Sequence, residues 1–211
     1  MPSNTFDTHN FKKLCNGLAK QDKELRQIIL LHGHPPMFSR KANFETLIHI
    51  ILEQQVSLAS AKAALIKLKE KIGEVSPEKI LLLTDEELRS CYFSRQKTVY
   101  ARCLATAIMN DELNLELLSK QNNAEIGIQL KKIKGIGDWT VDVYLMMALN
   151  RTNCFPTGDI ALMNSIKHIK QLPKQTTKEE ILFIAKQWEP HRTIAAYILW
   201  WGYIKKRKMK Y

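Results

Sequence analysis

Apolar residues along most of this chain recur three and four positions apart, which is the spacing of one face of an α-helix. Strand-like alternation bounded by turn residues is absent, so the pattern predicts an all-α protein. We expect helices over residues 9–32, 43–56, 58–72, 77–83, 85–91, 94–110, 113–119, 123–132, 138–150, 159–168, 177–187 and 190–204.

Start and stop signals support these boundaries. Thr84 is followed three residues later by Glu87, and Thr177 by Glu180, which is the spacing of a capping box. Breaks are expected at residues 33–36, at residue 73, at residues 135–137 and at residues 155–158. No repeat or low-complexity linker interrupts the pattern, so we expect two helical lobes flanking a cleft rather than two separable domains.

Composition narrows the class of partner. The 211 residues include 32 Lys+Arg against 21 Asp+Glu, and the formal net charge of +11 favours a polyanion such as DNA or RNA.

The N-terminal residues lack the apolar segment of an export signal, and no apolar run approaches the roughly 20 residues of a membrane span. We therefore expect a soluble intracellular protein. The scattered Cys15, Cys91, Cys103 and Cys154 lack zinc or iron–sulfur spacing and are expected to be reduced packing residues.

The sequence Lys134-Gly135-Ile136-Gly137-Asp138 predicts a tight hairpin that enters a helix. Glycine permits positive φ and leaves backbone N–H groups uncovered, so that another molecule can approach closely. Asp138 is expected to cap the following helix, whose N-terminus suits a phosphate oxygen. Lysines at 131, 132 and 134 add positive charge. Gly-x-Gly before a helix is also a common turn, and that alternative stays open at this stage.

Five motifs, taken together and in order, resemble those of a known family. They are Gln54-Gln55-Val56-Ser57, Ser94-Arg95-Gln96-Lys97, Gly135-Ile136-Gly137-Asp138-Trp139-Thr140, Phe155-Pro156-Thr157-Gly158-Asp159 and Trp188-Glu189-Pro190-His191-Arg192. Over about residues 35–204 the chain resembles the helix-hairpin-helix DNA glycosylase superfamily, in particular its 3-methyladenine DNA glycosylase II branch. Since the residues before position 35 leave no room for that branch's N-terminal β-rich domain, the resemblance is to shorter, all-helical members. It implies one glycosylase domain over residues 1–211, with segment 1–34 packed on the second lobe.

The resemblance implies that Asp159 is the catalytic carboxylate. Its setting agrees, because it follows Gly158, opens a predicted helix and has no basic neighbour in the sequence. A carboxylate beside the sugar would stabilise the oxocarbenium charge that builds as an N-glycosidic bond breaks. An N-alkylated purine already carries positive charge and can leave without a general acid. The alternative, that Asp159 is only a helix N-cap, stays open here.

The resemblance also implies that three tryptophans, Trp139, Trp200 and Trp201, line a base pocket. Their electron-rich rings would stack on a cationic base, although tryptophans at helical spacing are also common in cores. Lyase branches carry a Schiff-base lysine where Trp139 stands, so a monofunctional glycosylase that leaves an abasic site is implied. Val143 stands where a relative has a pocket tyrosine. The substrate therefore stays open among 3-methyladenine, 7-methylguanine, hypoxanthine and ethenoadenine.

DNA contacts follow from the same resemblance. Gln55 aligns with the wedge that fills the gap left by a flipped base, and the alternative is a polar helix-end residue. The residues implied to bind the DNA backbone are Lys134, Gly135, Ile136, Gly137 and Thr140. A structural monovalent cation, Na+ or K+, is implied at the backbone carbonyls of Lys131, Ile133 and Gly135. No cofactor is expected for catalysis.

The expected partner is double-stranded DNA with damaged bases, bound by a monomer in a bacterial or archaeal nucleoid or a eukaryotic nucleus. Two rival functions stay open. A non-catalytic helix-hairpin-helix DNA-binding protein would use the hairpin and the charge equally well. A glycosylase/lyase for oxidised bases would instead require a lysine in place of Trp139.

Overall fold

The computed structural model describes residues 4–207, and within that range the chain forms thirteen α-helices and one short 3-10 helix. The α-helices are α1 (Phe11–Gln21), α2 (Lys23–His32), α3 (Phe44–Glu53), α4 (Leu58–Ile72), α5 (Pro77–Leu82), α6 (Asp85–Ser90), α7 (Arg95–Met109), α8 (Leu115–Ser119), α9 (Asn123–Lys131), α10 (Asp138–Met147), α11 (Ile160–Ile169), α12 (Lys178–Ala185) and α13 (Arg192–Lys206). The 3-10 helix, Lys186–Trp188, follows α12. The predicted all-α class is confirmed. Residues 1–3 and 208–211 of the predicted domain lie outside the described residues.

Extended backbone pairs at one place in the described part of the chain, an isolated bridge between Thr5 and Arg151. Among residues 4–207, no helix combines the length and the apolar character needed to cross a bilayer. Most predicted helix boundaries lie within a few residues of the observed ones.

The single helix predicted over residues 9–32 is wrong, because the chain forms two helices there. The backbone of Asp22 is extended (φ −126°, ψ 113°), which ends α1 and starts α2. Its carboxylate accepts hydrogen bonds from the N–H groups of Glu24 and Leu25, both at 3.0 Å, and thereby caps α2. Apolar spacing continues through the break, so periodicity alone did not reveal it.

Both predicted capping boxes form. Thr84 Oγ1 accepts from Glu87 N–H at 3.2 Å, while Glu87 Oε2 accepts from Thr84 N–H at 2.9 Å. Thr177 and Glu180 repeat the arrangement at 3.2 and 2.7 Å. Each box satisfies two N–H groups that a helix start would otherwise leave unpaired.

The chain divides into two compact units. Unit 1 contains the described residues through Ser39 and those from Leu145 onward, and unit 2 contains Arg40–Tyr144. The core of unit 1 is aromatic. The ring of Tyr197 on α13 meets Phe38 edge-on, with ring centroids 5.0 Å apart, and meets Phe6 edge-on at 5.8 Å.

In unit 2, α3 contacts α4 and α7. Leu47, Ile48, Ile50 and Ile51 are each 0% exposed, so this helix is apolar on nearly all sides. Burying each such side chain stabilises the fold by about 1.5–3 kcal/mol. A helix packed this firmly gives a fixed starting point to the loop that follows it.

Candidate active site and DNA-binding hairpin

The hairpin between α9 and α10 depends on a single glycine. Gly135 has a φ of +95°, and a Cβ added there would lie 2.1 Å from Cγ of Tyr100 on α7. Gly137 lies outside the positive-φ region, and a Cβ there would meet nothing within 4 Å. Of the two glycines, only Gly135 uses the positive φ that glycine permits.

Backbone N–H groups of the hairpin are available to a ligand. Ile136 N–H donates to the Ile133 carbonyl at 3.1 Å and closes the turn. Among residues 4–207, no acceptor takes the N–H of Gly135 or Gly137. Donors of this kind at the start of a ten-residue helix carry partial positive charge and suit a phosphate oxygen.

Asp138 begins α10, and the carbonyl of Gly137 accepts the Val141 N–H at 3.1 Å. Gly137 therefore occupies the capping position, and the prediction that Asp138 caps the helix is wrong by one residue. The Asp138 carboxylate instead accepts from the Lys131 ammonium at 3.0 Å. Both side chains are exposed, so this ion pair contributes little to stability.

Thr140 lies inside the structure rather than on the hairpin surface. It is 2% exposed, and its hydroxyl oxygen accepts from Gln54 Nε2 at 3.0 Å. The same Nε2 donates to the Gly135 carbonyl at 2.9 Å. Burial favours a role for Thr140 in positioning the hairpin over direct contact with phosphate. The sequence carried no signal for the Gln54 contact, because its partners are 81 and 86 residues away in the chain.

Gln55 is exposed in the loop between α3 and α4, with a φ of +58°. Positive φ is uncommon for a residue other than glycine, asparagine or aspartate. Ser57 ends the loop by capping α4, where its hydroxyl accepts from Ser60 N–H at 3.1 Å. The position of Gln55 is compatible with a wedge, and that role stays a prediction.

Asp159 is partly buried at the N-terminus of α11. Its Oδ1 accepts from Leu162 N–H at 2.7 Å and from the indole N–H of Trp200 at 3.1 Å. The capping role considered for Asp159 is therefore present in the structure. Two donors on one carboxylate oxygen also fix the orientation of the group, which is what electrostatic catalysis requires.

The loop before Asp159 is held by the start of α13. Thr193, 0% exposed, donates its hydroxyl to the Arg151 carbonyl at 2.6 Å and accepts the Cys154 N–H at 3.0 Å. Arg192 Nε donates to Asn153 Oδ1 at 2.8 Å. The arginine of the last motif thus supports the fold around the candidate acid.

Two of the predicted pocket tryptophans lie on α13. Trp200 is 9% exposed and stacks on Tyr197 with ring centroids 5.8 Å apart. Trp201 donates its indole N–H to the His32 carbonyl at 3.1 Å, and the Lys205 ammonium lies 4.4 Å from the centroid of its ring. With the bond from Trp200 to Asp159, both indole N–H groups have a partner within the protein. The pocket role of both residues stays a prediction.

The third predicted pocket tryptophan, Trp139, is partly buried in the first turn of α10. Val143 and Tyr144 on the same helix are 2% and 0% exposed. Burial raises the pKa of Tyr144 to about 12, and its hydroxyl has no hydrogen-bond partner among the described residues. Neither side chain is open to solvent.

Two of the three carbonyl oxygens predicted to hold a monovalent cation have room for a further ligand. Ile133 O and Gly135 O each accept one hydrogen bond, from Ile136 N–H and from Gln54 Nε2. A carbonyl oxygen has two lone pairs, so each can also face a cation. Among the described residues, no group of three or more His, Cys, Asp or Glu could hold a metal ion.

Comparison with known proteins identifies the family. The chain matches the model for HhH-GPD superfamily base excision DNA repair proteins over residues 48–190. The chain belongs to this superfamily. The family predicted from five sequence motifs is thereby confirmed.

Similar proteins carry related names. DNA-3-methyladenine glycosylase 1 of Schizosaccharomyces pombe is 30% identical over 189 residues, covering 88% of this chain and 83% of the relative. DNA-3-methyladenine glycosylase of Bacillus subtilis is 32% identical over 169 residues, covering 74% of this chain. The match spans only 56% of the length of that relative. The solved structure of the Schizosaccharomyces pombe 3-methyladenine DNA glycosylase with abasic DNA is 30% identical, with a TM-score of 0.82. It covers 89% of this chain and 95% of that one.

Proposed function

We propose that this chain is a monofunctional DNA glycosylase of base excision repair that hydrolyses the N-glycosidic bond of alkylated purines such as 3-methyladenine. The observation that carries the proposal is the Asp159 carboxylate, fixed by Leu162 N–H and the Trp200 indole at the start of α11. Two relatives named DNA-3-methyladenine glycosylase support the substrate class. The product is an abasic site.

The chemistry needs one oriented acid. When the bond between the sugar and a cationic alkylpurine breaks, the base takes the bonding electrons and departs neutral. Positive charge then resides on the sugar, where the Asp159 carboxylate stabilises it. The oxygen of a water molecule bonds to the anomeric carbon and a proton passes to solvent. No general acid is required, because the leaving base is already charged.

Duplex DNA is the proposed partner, bound by one copy of the chain. The N–H groups of Gly135 and Gly137 bind phosphate oxygens, and the exposed Lys134 adds charge beside them. Gln55 fills the gap left by the flipped base. The carbonyls of Lys131, Ile133 and Gly135 hold a structural monovalent cation that takes no part in bond cleavage.

Trp139 supports a glycosylase without lyase activity. Its side chain has no amine and therefore forms no Schiff base with the sugar. Lys134, on the hairpin, is exposed and suits phosphate. Strand cleavage is therefore left to a separate reaction.

The test is release of bases from methylated duplex DNA, resolved by chromatography, with strand nicking measured on the same samples before and after added base. We expect free 3-methyladenine, and nicks only after added base. DNA binding without any released base would instead indicate a non-catalytic helix-hairpin-helix protein. Nicking at neutral pH without added base would indicate a lyase.

A further inference from the structure

Three consecutive residues at the end of α3 are each held by a different partner. The Leu52 carbonyl accepts from the Lys97 ammonium at 2.7 Å. The Glu53 carboxylate accepts two hydrogen bonds from the Arg40 guanidinium, at 2.6 and 3.0 Å. Gln54 is tied to the hairpin. The backbone that enters the following loop, residues 54–57, is thus fixed before it reaches the exposed Gln55.

In the contact between Gln54 and the hairpin, the Gln54 side chain is the hydrogen-bond donor. A carbonyl oxygen only accepts hydrogen bonds, so the amide group must present its NH2 to Gly135 O. That NH2 donates at 2.9 Å to Gly135 O and at 3.0 Å to Thr140 Oγ1, which uses both of its protons. Gly135 is meanwhile confined by Tyr100, whose Cγ would lie 2.1 Å from an added Cβ. Gln54 is therefore bonded to a part of the hairpin that has little freedom to move.

We propose that Gln54 is a positioning residue that ties loop 54–57 to the hairpin and thereby holds Gln55 ready to enter the duplex. The inference rests on the proposed function. Gln55 has a φ of +58°, a conformation that L-residues rarely adopt, so the loop needs a restraint to keep it there. Both Gln54 hydrogen bonds lie one residue before that position and supply the restraint.

In this arrangement the hairpin binds the DNA backbone, whereas loop 54–57 helps to extrude the base. The N–H groups of Gly135 and Gly137 belong to the hairpin backbone. That backbone is also held by the Ile136 N–H bond to the Ile133 carbonyl and by Tyr100 against Gly135, neither of which involves Gln54. We therefore expect loss of the Gln54 hydrogen bonds to loosen loop 54–57 more than the hairpin. Undamaged DNA should then bind normally, whereas extrusion of a base should become harder.

The test uses Gln54→Met, which keeps the length of the side chain and removes both donors, alone and combined with Gln55→Ala. Base extrusion is followed by fluorescence of 2-aminopurine beside the lesion, and chemistry by single-turnover release of 3-methyladenine. We expect Gln54→Met to lower extrusion about tenfold, consistent with the loss of one or two hydrogen bonds. Affinity for undamaged duplex should stay within about twofold, since phosphate contacts are retained.

The double variant distinguishes positioning from general support. If Gln54 acts through Gln55, the double variant should lose no more extrusion than Gln55→Ala alone. Losses that multiply would overturn the proposal, as would an equal loss of affinity for undamaged DNA. Thermal unfolding of each variant shows whether the fold is retained.

Gln129→Met is the matched control. It makes the same exchange in unit 2 and removes an amide hydrogen bond to Gln121 Oε1 at 2.7 Å. We expect it to leave extrusion unchanged, and an equal loss in this variant would count against the proposal. If the wild-type protein releases no base, the proposed function fails. If it releases base while Gln54→Met extrudes normally, only the present inference fails.

Discussion

Two aspartates in unit 1 occupy nearly the same local geometry. Asp22 caps α2 by accepting two backbone N–H groups, and Asp159 caps α11 by accepting one. Each also accepts an indole N–H, from Trp188 at 2.9 Å and from Trp200 at 3.1 Å. Helix capping and a tryptophan donor are thus common to both residues and cannot explain why only one of them resembles a catalytic acid.

The two carboxylates differ in their surroundings. Asp22 is 4% exposed and lies 2.7 Å from the Lys170 ammonium, which also pairs with Glu24 at 2.9 Å. Burial alone would raise the pKa of Asp22, but the hydrogen bonds from Lys170, Leu25 and Trp188 hold it below its usual value. Asp159 is only partly buried. The cap sets the orientation of a carboxylate, and its exposure and neighbours decide whether it serves the fold or a reaction.

Asp159→Asn should give the largest loss of base release. Asparagine keeps the capping oxygen and the volume but removes the negative charge that, in the proposed mechanism, stabilises the sugar cation. We expect release of 3-methyladenine to fall by about a thousandfold, while the unfolding free energy and the affinity for an abasic analogue change little. Single-turnover kinetics measure base release, urea unfolding measures the free energy, and titration with the abasic analogue measures the affinity. Near-wild-type turnover would remove Asp159 from the reaction.

Asp22→Asn should lower the unfolding free energy and leave base release by the folded protein unchanged. Removing this charge leaves the Lys170 ammonium, whose side chain is 16% exposed, without its closest partner. Because Glu24 still pairs with Lys170, we expect a loss of about 1.5–3 kcal/mol of unfolding free energy, less than removal of the only partner of a buried charge would cost. Urea unfolding measures it, with Asp85→Asn as a control because that carboxylate pairs with Arg102 at the surface. Lost base release in protein that is still folded would contradict the assignment of Asp22 to the fold.

The pH dependence of stability should separate the two aspartates further. Because the pKa of Asp22 is lowered in the folded state, its stabilisation is fully present above the unfolded-state pKa of about 3.9. It is lost as the pH falls from there through the lower folded-state pKa. In Asp22→Asn this acid loss should shrink, whereas Asp159→Asn should retain it. Equal acid profiles in the wild type and Asp22→Asn would show that other carboxylates dominate.

Local signals in the sequence predicted the helices well. Capping boxes at Thr84 and Thr177 depend on residues three positions apart, and both form. The break at Asp22 was missed because apolar spacing continues across it, although the aspartate itself is a good capping residue. What a sequence shows within one helical turn is therefore recoverable without the structure.

Contacts between distant residues were not recoverable in this way. Trp200 and Asp159 are 41 residues apart, and Gln54 and Gly135 are 81 apart. The resemblance supplied candidate roles for Asp159 and Trp200 but not the hydrogen bond between them. No spacing rule indicates which donor will meet which acceptor once helices pack, and Gln54 received no role for the same reason.

Trp200→Phe should give the smallest loss of base release. It should also show whether Trp200 acts by orienting Asp159 or by stacking on the base. Phenylalanine keeps an aromatic ring against Tyr197 and Phe38 but removes the N–H that orients Asp159. Loss of one hydrogen bond to a charged group corresponds to about a tenfold slower release. In the proposed mechanism the carboxylate stabilises the sugar whichever base departs, so release of cationic 3-methyladenine and of neutral hypoxanthine should slow by the same factor. A loss confined to the cationic base would instead indicate that Trp200 acts by stacking on the base, through a cation–π contact. Single-turnover rates on the two substrates, compared as ratios of wild type to variant, distinguish the two outcomes even if the absolute rates differ widely.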